Sequence, residues 1–89
     1  MPHFDGEFDI IAGEPEAWLA SFVATHGLVV TLRTTLATYP GSVHWHLKKP
    51  GQTGVLEFTW SAKDKRTWFK VAKNRSAEWI DAIVAELRR

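Results

Sequence analysis

His44 and His46 stand one residue apart in VHWHLKKP, and Glu57 follows in GVLEFTW beyond the turn Pro50-Gly-Gln-Thr53. Imidazole nitrogens and a carboxylate oxygen are donors for a divalent transition metal, and they are also the groups that carry acid–base chemistry. If 43–48 is a strand, both imidazoles project from the same side, about 6–7 Å apart along the chain. Pairing across the turn then sets Glu57 opposite His46. Such a set on an open sheet face lacks shelter and outer hydrogen-bond partners, which weighs against it.

Other chemistry is sparse. There is no cysteine, so disulfides, thiolate catalysis and cysteine-based metal clusters are excluded. Ser21, Ser42, Ser61 and Ser76 lack a nucleophile-elbow context, and no glycine-rich phosphate loop is present. His3 and His26 have no evident partner; His26 suits the C-terminal end of a helix dipole. No catalytic residue is assigned and no cofactor is expected. If catalysis exists, His44, His46 and Glu57 are its acid–base set.

The elements that position the triad follow from periodicity. Pro15 with Glu16 marks a helix start, Trp18, Leu19, Phe22 and Val23 repeat at helical spacing, and Gly27 marks the stop. Residues 28–39 are rich in branched side chains with Leu28, Val30, Leu32 and Leu36 in alternation, which predicts a strand with Thr31, Arg33 and Thr35 on its wet face. Tyr39-Pro-Gly-Ser42 reads as a turn, 42–48 as the next strand, a third strand runs to about residue 61, and Lys63-Asp-Lys65 turns into a fourth over 66–73. Asn74 or Ser76 then caps a last helix whose buried stripe is Trp79, Ile80, Ile83, Val84 and Leu87. Residues 1–12 are read as a short strand or an ordered arm.

The order is (β)-α-β-β-β-β-α: one α+β domain over 1–89, an antiparallel meander with both helices packed on one face. In the central hairpin Leu47 faces Leu56, His46 faces Glu57, Trp45 faces Phe58, His44 faces Thr59 and Val43 faces Trp60. Val43, Trp45, Leu47, Leu56, Phe58 and Trp60 thus form a core wall. On the fourth strand, alternation sends Phe69 and Val71 inward and Trp68 and Lys70 outward, because the reverse register would bury an unpaired ammonium.

The outer face is therefore expected to carry Thr31, Arg33, Thr35, His44, His46, Glu57, Thr59, Trp68 and Lys70. Its interaction residues are taken as Trp68, Lys70, Arg33, Thr35, His44 and His46. The reading taken from the residues is a non-catalytic structural or interaction domain that acts as a homo-oligomer, with an exposed Trp68 as anchor. Nucleic-acid binding through the same face is one alternative, with Trp68 beside Lys63, Lys65, Arg66, Lys70 and Lys73; a single outward aromatic and the absence of a ribonucleoprotein motif weigh against it. A weak metal or small-ligand site at His44, His46 and Glu57 is the other.

Composition bounds these readings. At 89 residues with five Trp and five Phe, one small core can be built from few positions. Net charge is only +1, but Asp5, Glu7, Asp9, Glu14 and Glu16 all precede the first Lys or Arg, which is Arg33, so opposite ends are expected to neutralise each other within the fold or between copies. No signal-peptide pattern opens the chain and no apolar run spans a membrane, which implies a cytoplasmic protein without membrane association. One Asn, one Gln, one Met and no Cys is a bias toward thermophile usage.

Two resemblances add to this. The element order resembles the β-α-β4-α unit of TATA-binding-protein-like folds, a likeness of topology that carries no function. The phrases GSVHWHLKKPGQTGVLEFTW and EWIDAIVAELRR resemble a small family of unknown function from Deinococcus–Thermus bacteria, over essentially the whole chain. That resemblance implies cytoplasm and heat tolerance and no activity.

Overall fold

The computed structural model describes residues 2–89, the side chain of Tyr39 excepted. Its elements are β1 (Gly6–Ile10), α1 (Pro15–His26), β2 (Val29–Leu36), β3 (Tyr39–Lys48), β4 (Leu56–Ser61), β5 (Arg66–Val71), a 3₁₀ turn (Lys73–Arg75) and α2 (Glu78–Leu87). The five strands form one antiparallel sheet in the order β1-β5-β4-β3-β2, so the meander runs from β2 to β5 and β1 closes the far edge. The expected α+β architecture is the observed one. Among the described residues no helix is long and apolar enough to cross a membrane.

Both helices lie on the same face because both present aromatic and branched residues to the inward positions of the strands. Leu19 and Phe22 of α1 and Trp79, Ile80, Ile83 and Val84 of α2 are buried in one cluster with Trp45, Leu47, Leu56, Phe58, Phe69 and Val71. Trp18 stacks on Phe58 with centroids 5.6 Å apart, and Phe22 meets Phe69 at 5.3 Å, which lays α1 across β4 and β5. Gly27 ends α1 in the left-handed conformation expected of a helix stop (φ 64).

The central hairpin has the register predicted from its alternation, from Val43↔Trp60 through His46↔Glu57 to Leu47↔Leu56. Three local expectations change. First, the reversal before β3 occurs at Ala37 and Thr38, closed by the pair Leu36↔Tyr39, rather than at Tyr39-Pro-Gly-Ser42. Pro40 falls before the first β3–β4 pair, Ser42↔Ser61, where no ladder bond requires its missing N–H. Second, α2 begins after Ala77 with no side-chain cap; Ser76 Oγ donates instead to the Lys73 carbonyl, and residues 73–75 form their own 3₁₀ turn. Third, β2 carries a bulge at Thr31, where the pairing shifts between Val30↔Leu47 and Leu32↔His46.

The N-terminal segment is a strand, tied down at several points. Phe8 stacks on Phe69 at 5.6 Å. Arg66 of β5 donates to both carboxylate oxygens of Asp9, at 2.7 and 2.9 Å, and lies 3.5 Å from Glu7. The Arg66 hydrogen bond holds the Asp9 carboxyl below its ordinary value. The Phe4 N–H donates to Asp81 of α2 at 2.8 Å, and the His3 ring bonds the same carboxylate at 2.5 Å. Acidic N-terminal residues therefore meet basic partners within one chain, as the charge distribution implied.

Candidate metal centre

The strand that carries His44 and His46 lies between β2 and β4, and its partner β4 supplies Glu57. Trp45 between the two histidines is only 4 % exposed and belongs to the core, so the pleat sends both imidazoles to the face without helices. The register then places Glu57 beside His46 and Thr59 beside His44.

The three side chains converge. His44 Nε2 and His46 Nε2 are 3.1 Å apart, and Glu57 Oε1 lies 3.2 Å from the first and 3.9 Å from the second. Donors held at roughly 2.0–2.1 Å from a tetrahedral zinc ion are separated by about 3.4 Å. The observed spacings bracket that value. Each of the three residues thus offers one ligand atom to a common point. Behind the site, His44 Nδ1 and Thr59 Oγ1 are hydrogen-bonded at 2.7 Å, and Thr59 is 2 % exposed. This is the outer partner that fixes the orientation of a ligating imidazole, and it is the support that a bare sheet face was expected to lack.

Electrostatics restrict how the cluster is satisfied. With the proton on Nδ1, His44 donates to Thr59 and turns its Nε2 lone pair toward Glu57 and His46. A neutral His46 with its proton on Nε2 then donates to that lone pair at 3.1 Å, and a metal ion would replace this hydrogen bond. With the proton on Nε2, Thr59 donates to Nδ1 and His44 donates to Glu57. A proton or a metal ion serves the same geometric point. The pKa of His44 is lowered: burial outweighs the attraction of Glu57, and His46 and Lys70 add to the lowering. A neutral imidazole is the form that ligates metal.

Glu57 has another choice of partner that it does not take. Lys70 is its cross-strand neighbour on β5, as His46 is on β3. Among the described residues the ion pairs of Glu57 within 4.0 Å are with His44 and His46, and Lys70 forms none. The carboxylate is turned toward the imidazoles.

The other expected face residues divide. Trp68 pairs with Thr59 and Asp9 and so lies on the outer face as expected, but it is 4 % exposed rather than an open anchor. The Arg66 guanidinium sits 4.3 Å above its ring and contributes to that cover. Arg33 is on the other side of the sheet. The bulge at Thr31 advances the alternation by one, so Arg33 pairs with Trp45, lies 5.6 Å over its ring, and forms an ion pair with Glu16 of α1. The same shift brings Leu32 and Thr34 to the outer face, level with His46 and His44. Leu32, expected in the core, is 42 % exposed. Thr31 and Thr35 sit at the two register breaks, and both are exposed. Thr31 Oγ1 donates to the His46 carbonyl at 3.4 Å. Lys70 remains exposed on the outer face.

The triad is largely buried: His44 is 7 % exposed, and His46 and Glu57 are half-buried. An apolar cleft of about 190 Å³, lined by Leu19, Val23, Val30 and Trp45 among others, lies on the helix side. A comparison of the chain with family models, with curated proteins and with solved structures finds no match.

Proposed function

We propose that the domain binds one divalent transition-metal ion through His44 Nε2, His46 Nε2 and Glu57 Oε1. The observation that carries this is the convergence of three donor atoms within 3.9 Å, with Thr59 bracing one imidazole. Two nitrogens and one oxygen suit Zn²⁺, Co²⁺, Ni²⁺ or Cu²⁺ and are a poor set for Mg²⁺ or Ca²⁺, which take oxygen ligands. Three protein ligands leave at least one position open. The composition supports a cytoplasmic setting. Titration of the metal-stripped chain with Zn²⁺, followed calorimetrically, is expected to show one equivalent bound. The double variant His44→Ala/His46→Ala is expected to show none, and heat equal to dilution for the wild type overturns the proposal.

Self-association is a second reading, supported now by an edge rather than by Trp68. β2 is an edge strand eight residues long, and Val29, Val30 and Leu32 on it are 43 %, 46 % and 42 % exposed. A free edge with apolar side chains is a template for pairing with another copy. Sedimentation at micromolar concentration is expected to give a dimer for the wild type and a monomer for Leu32→Lys; a wild-type monomer removes this reading. The nucleic-acid reading loses its stacking platform, because Trp68 lies buried beneath Arg66.

A further inference from the structure

We infer that the open coordination position of the loaded triad takes an oxyanion, bound by the metal on one side and by the Lys70 ammonium on the other. This rests on the metal reading above and names the class of ligand the site would accept. Three observations carry it. Lys70 is directly opposite Glu57 in the β4–β5 register, on the triad's face of the sheet, and directly opposite side chains have Cβ atoms about 4.5–5.5 Å apart. A lysine stem then reaches over the neighbouring strand.

Second, that ammonium is uncommitted. Its two cross-strand neighbours are both carboxylates, Glu57 and Glu7, yet Glu57 turns to the imidazoles and Glu7 faces Arg66 at 3.5 Å. Among the described residues Lys70 forms no ion pair. Third, charge demands an anion. A divalent ion with two neutral imidazoles and one carboxylate keeps one positive charge, and Lys70 adds a second, offset in part by Glu7, which shares Arg66 with Asp9. A mono- or dianion placed between metal and ammonium compensates both. Charge and oxygen donors select the ligand.

The test uses the full chain loaded with Co²⁺, whose visible absorption reports its coordination sphere, titrated separately with inorganic phosphate and with acetate. Saturable change of the cobalt bands, with cobalt retained after desalting, is expected for phosphate; a matching change with acetate extends the class to carboxylates, and none restricts it to phosphate-like anions. Lys70→Met is expected to bind one Co²⁺ and to weaken phosphate binding about threefold to fivefold, the scale of an exposed charge pair. Lys48→Met, on the same face beyond His46, serves as the control and is expected to change little. Bands unmoved by phosphate, cobalt stripped from the protein by it, or equal weakening in both lysine variants would overturn the inference. Failure of the wild type to take up Co²⁺ is a different result, and it overturns the metal reading on which the inference rests.

Discussion

Zn²⁺ at a free concentration 100 times its dissociation constant is expected to stabilise this domain by about 2.7 kcal/mol, because an ion bound only by the folded state shifts the unfolding equilibrium by mass action. For a domain of this size that is a rise in Tm of roughly 10–20 °C. The single variants should fall in an order set by the geometry. His44→Ala and His46→Ala each delete one of the nitrogens that lie 3.1 Å apart, and each is expected to abolish the zinc-dependent shift. Glu57→Gln keeps the shape but loses the charge that sits 3.2 Å from His44 Nε2, and it should retain only weak binding. Thr59→Val keeps the volume and removes the hydroxyl bonded to His44 Nδ1 at 2.7 Å; loss of such an outer partner typically costs 10–100-fold in affinity. Melting curves with and without Zn²⁺ check the series. A Thr59→Val protein that binds zinc as tightly as the wild type would show that the hydroxyl does not orient the imidazole.

Gly54→Ala is expected to be the most damaging single methyl in the chain, at about 3 kcal/mol and more than about 10 °C in Tm. Gly54 has φ +104, a conformation that side chains rarely adopt, and its backbone lies against the start of α2. A Cβ there would stand 2.7 Å from Ala77 Cβ and 3.2 Å from both the Arg75 carbonyl and Ile80 Cδ1. The same junction is held by the Val55 N–H donating to the Arg75 carbonyl at 2.9 Å and by the Trp79 indole N–H donating to the Thr53 carbonyl at 2.8 Å. Relief of the clash would pull at both bonds. Gly51→Ala is the matched control, since Gly51 also has positive φ (+76) but a methyl group added there would meet nothing within 4 Å. It should cost about 1 kcal/mol, the backbone term alone. Equal losses in the two variants, measured by urea unfolding, would show that close docking of α2 on the 49–55 loop does not matter to stability.

Much of this molecule is legible in its residues. The central hairpin is the clearest case: strict alternation about a Pro-Gly turn leaves one register in which all six apolar residues share a face, and that register is the one found. The span of α1 follows as directly from Pro15 and Gly27. What alternation cannot register is an inserted residue. The bulge at Thr31 leaves no mark in composition, yet it exchanges the faces of Leu32 and Arg33. The burial of Trp68 is hidden for a related reason. Its outward direction follows from period two, whereas its cover depends on Arg66, two residues away on the same strand, reaching back over the ring while it forks Asp9 of β1. At the site, His44, His46 and Glu57 are identifiable from register alone. Their convergence, and the support from Thr59, depend on side-chain torsions that a linear pattern does not encode.

The bulge in β2 has a consequence for the charge around the proposed metal site. A strand whose alternation ran unbroken would bring Arg33 to the side of His44 and His46, and a permanent cation beside three donor atoms would oppose a second cation. One additional residue reverses that parity. It hands the guanidinium to Glu16 and Trp45 across the sheet and leaves an uncharged leucine and threonine as the triad's neighbours on β2. The field that β2 adds to the proposed metal-binding face is thus set by whether that strand has an odd or an even number of residues.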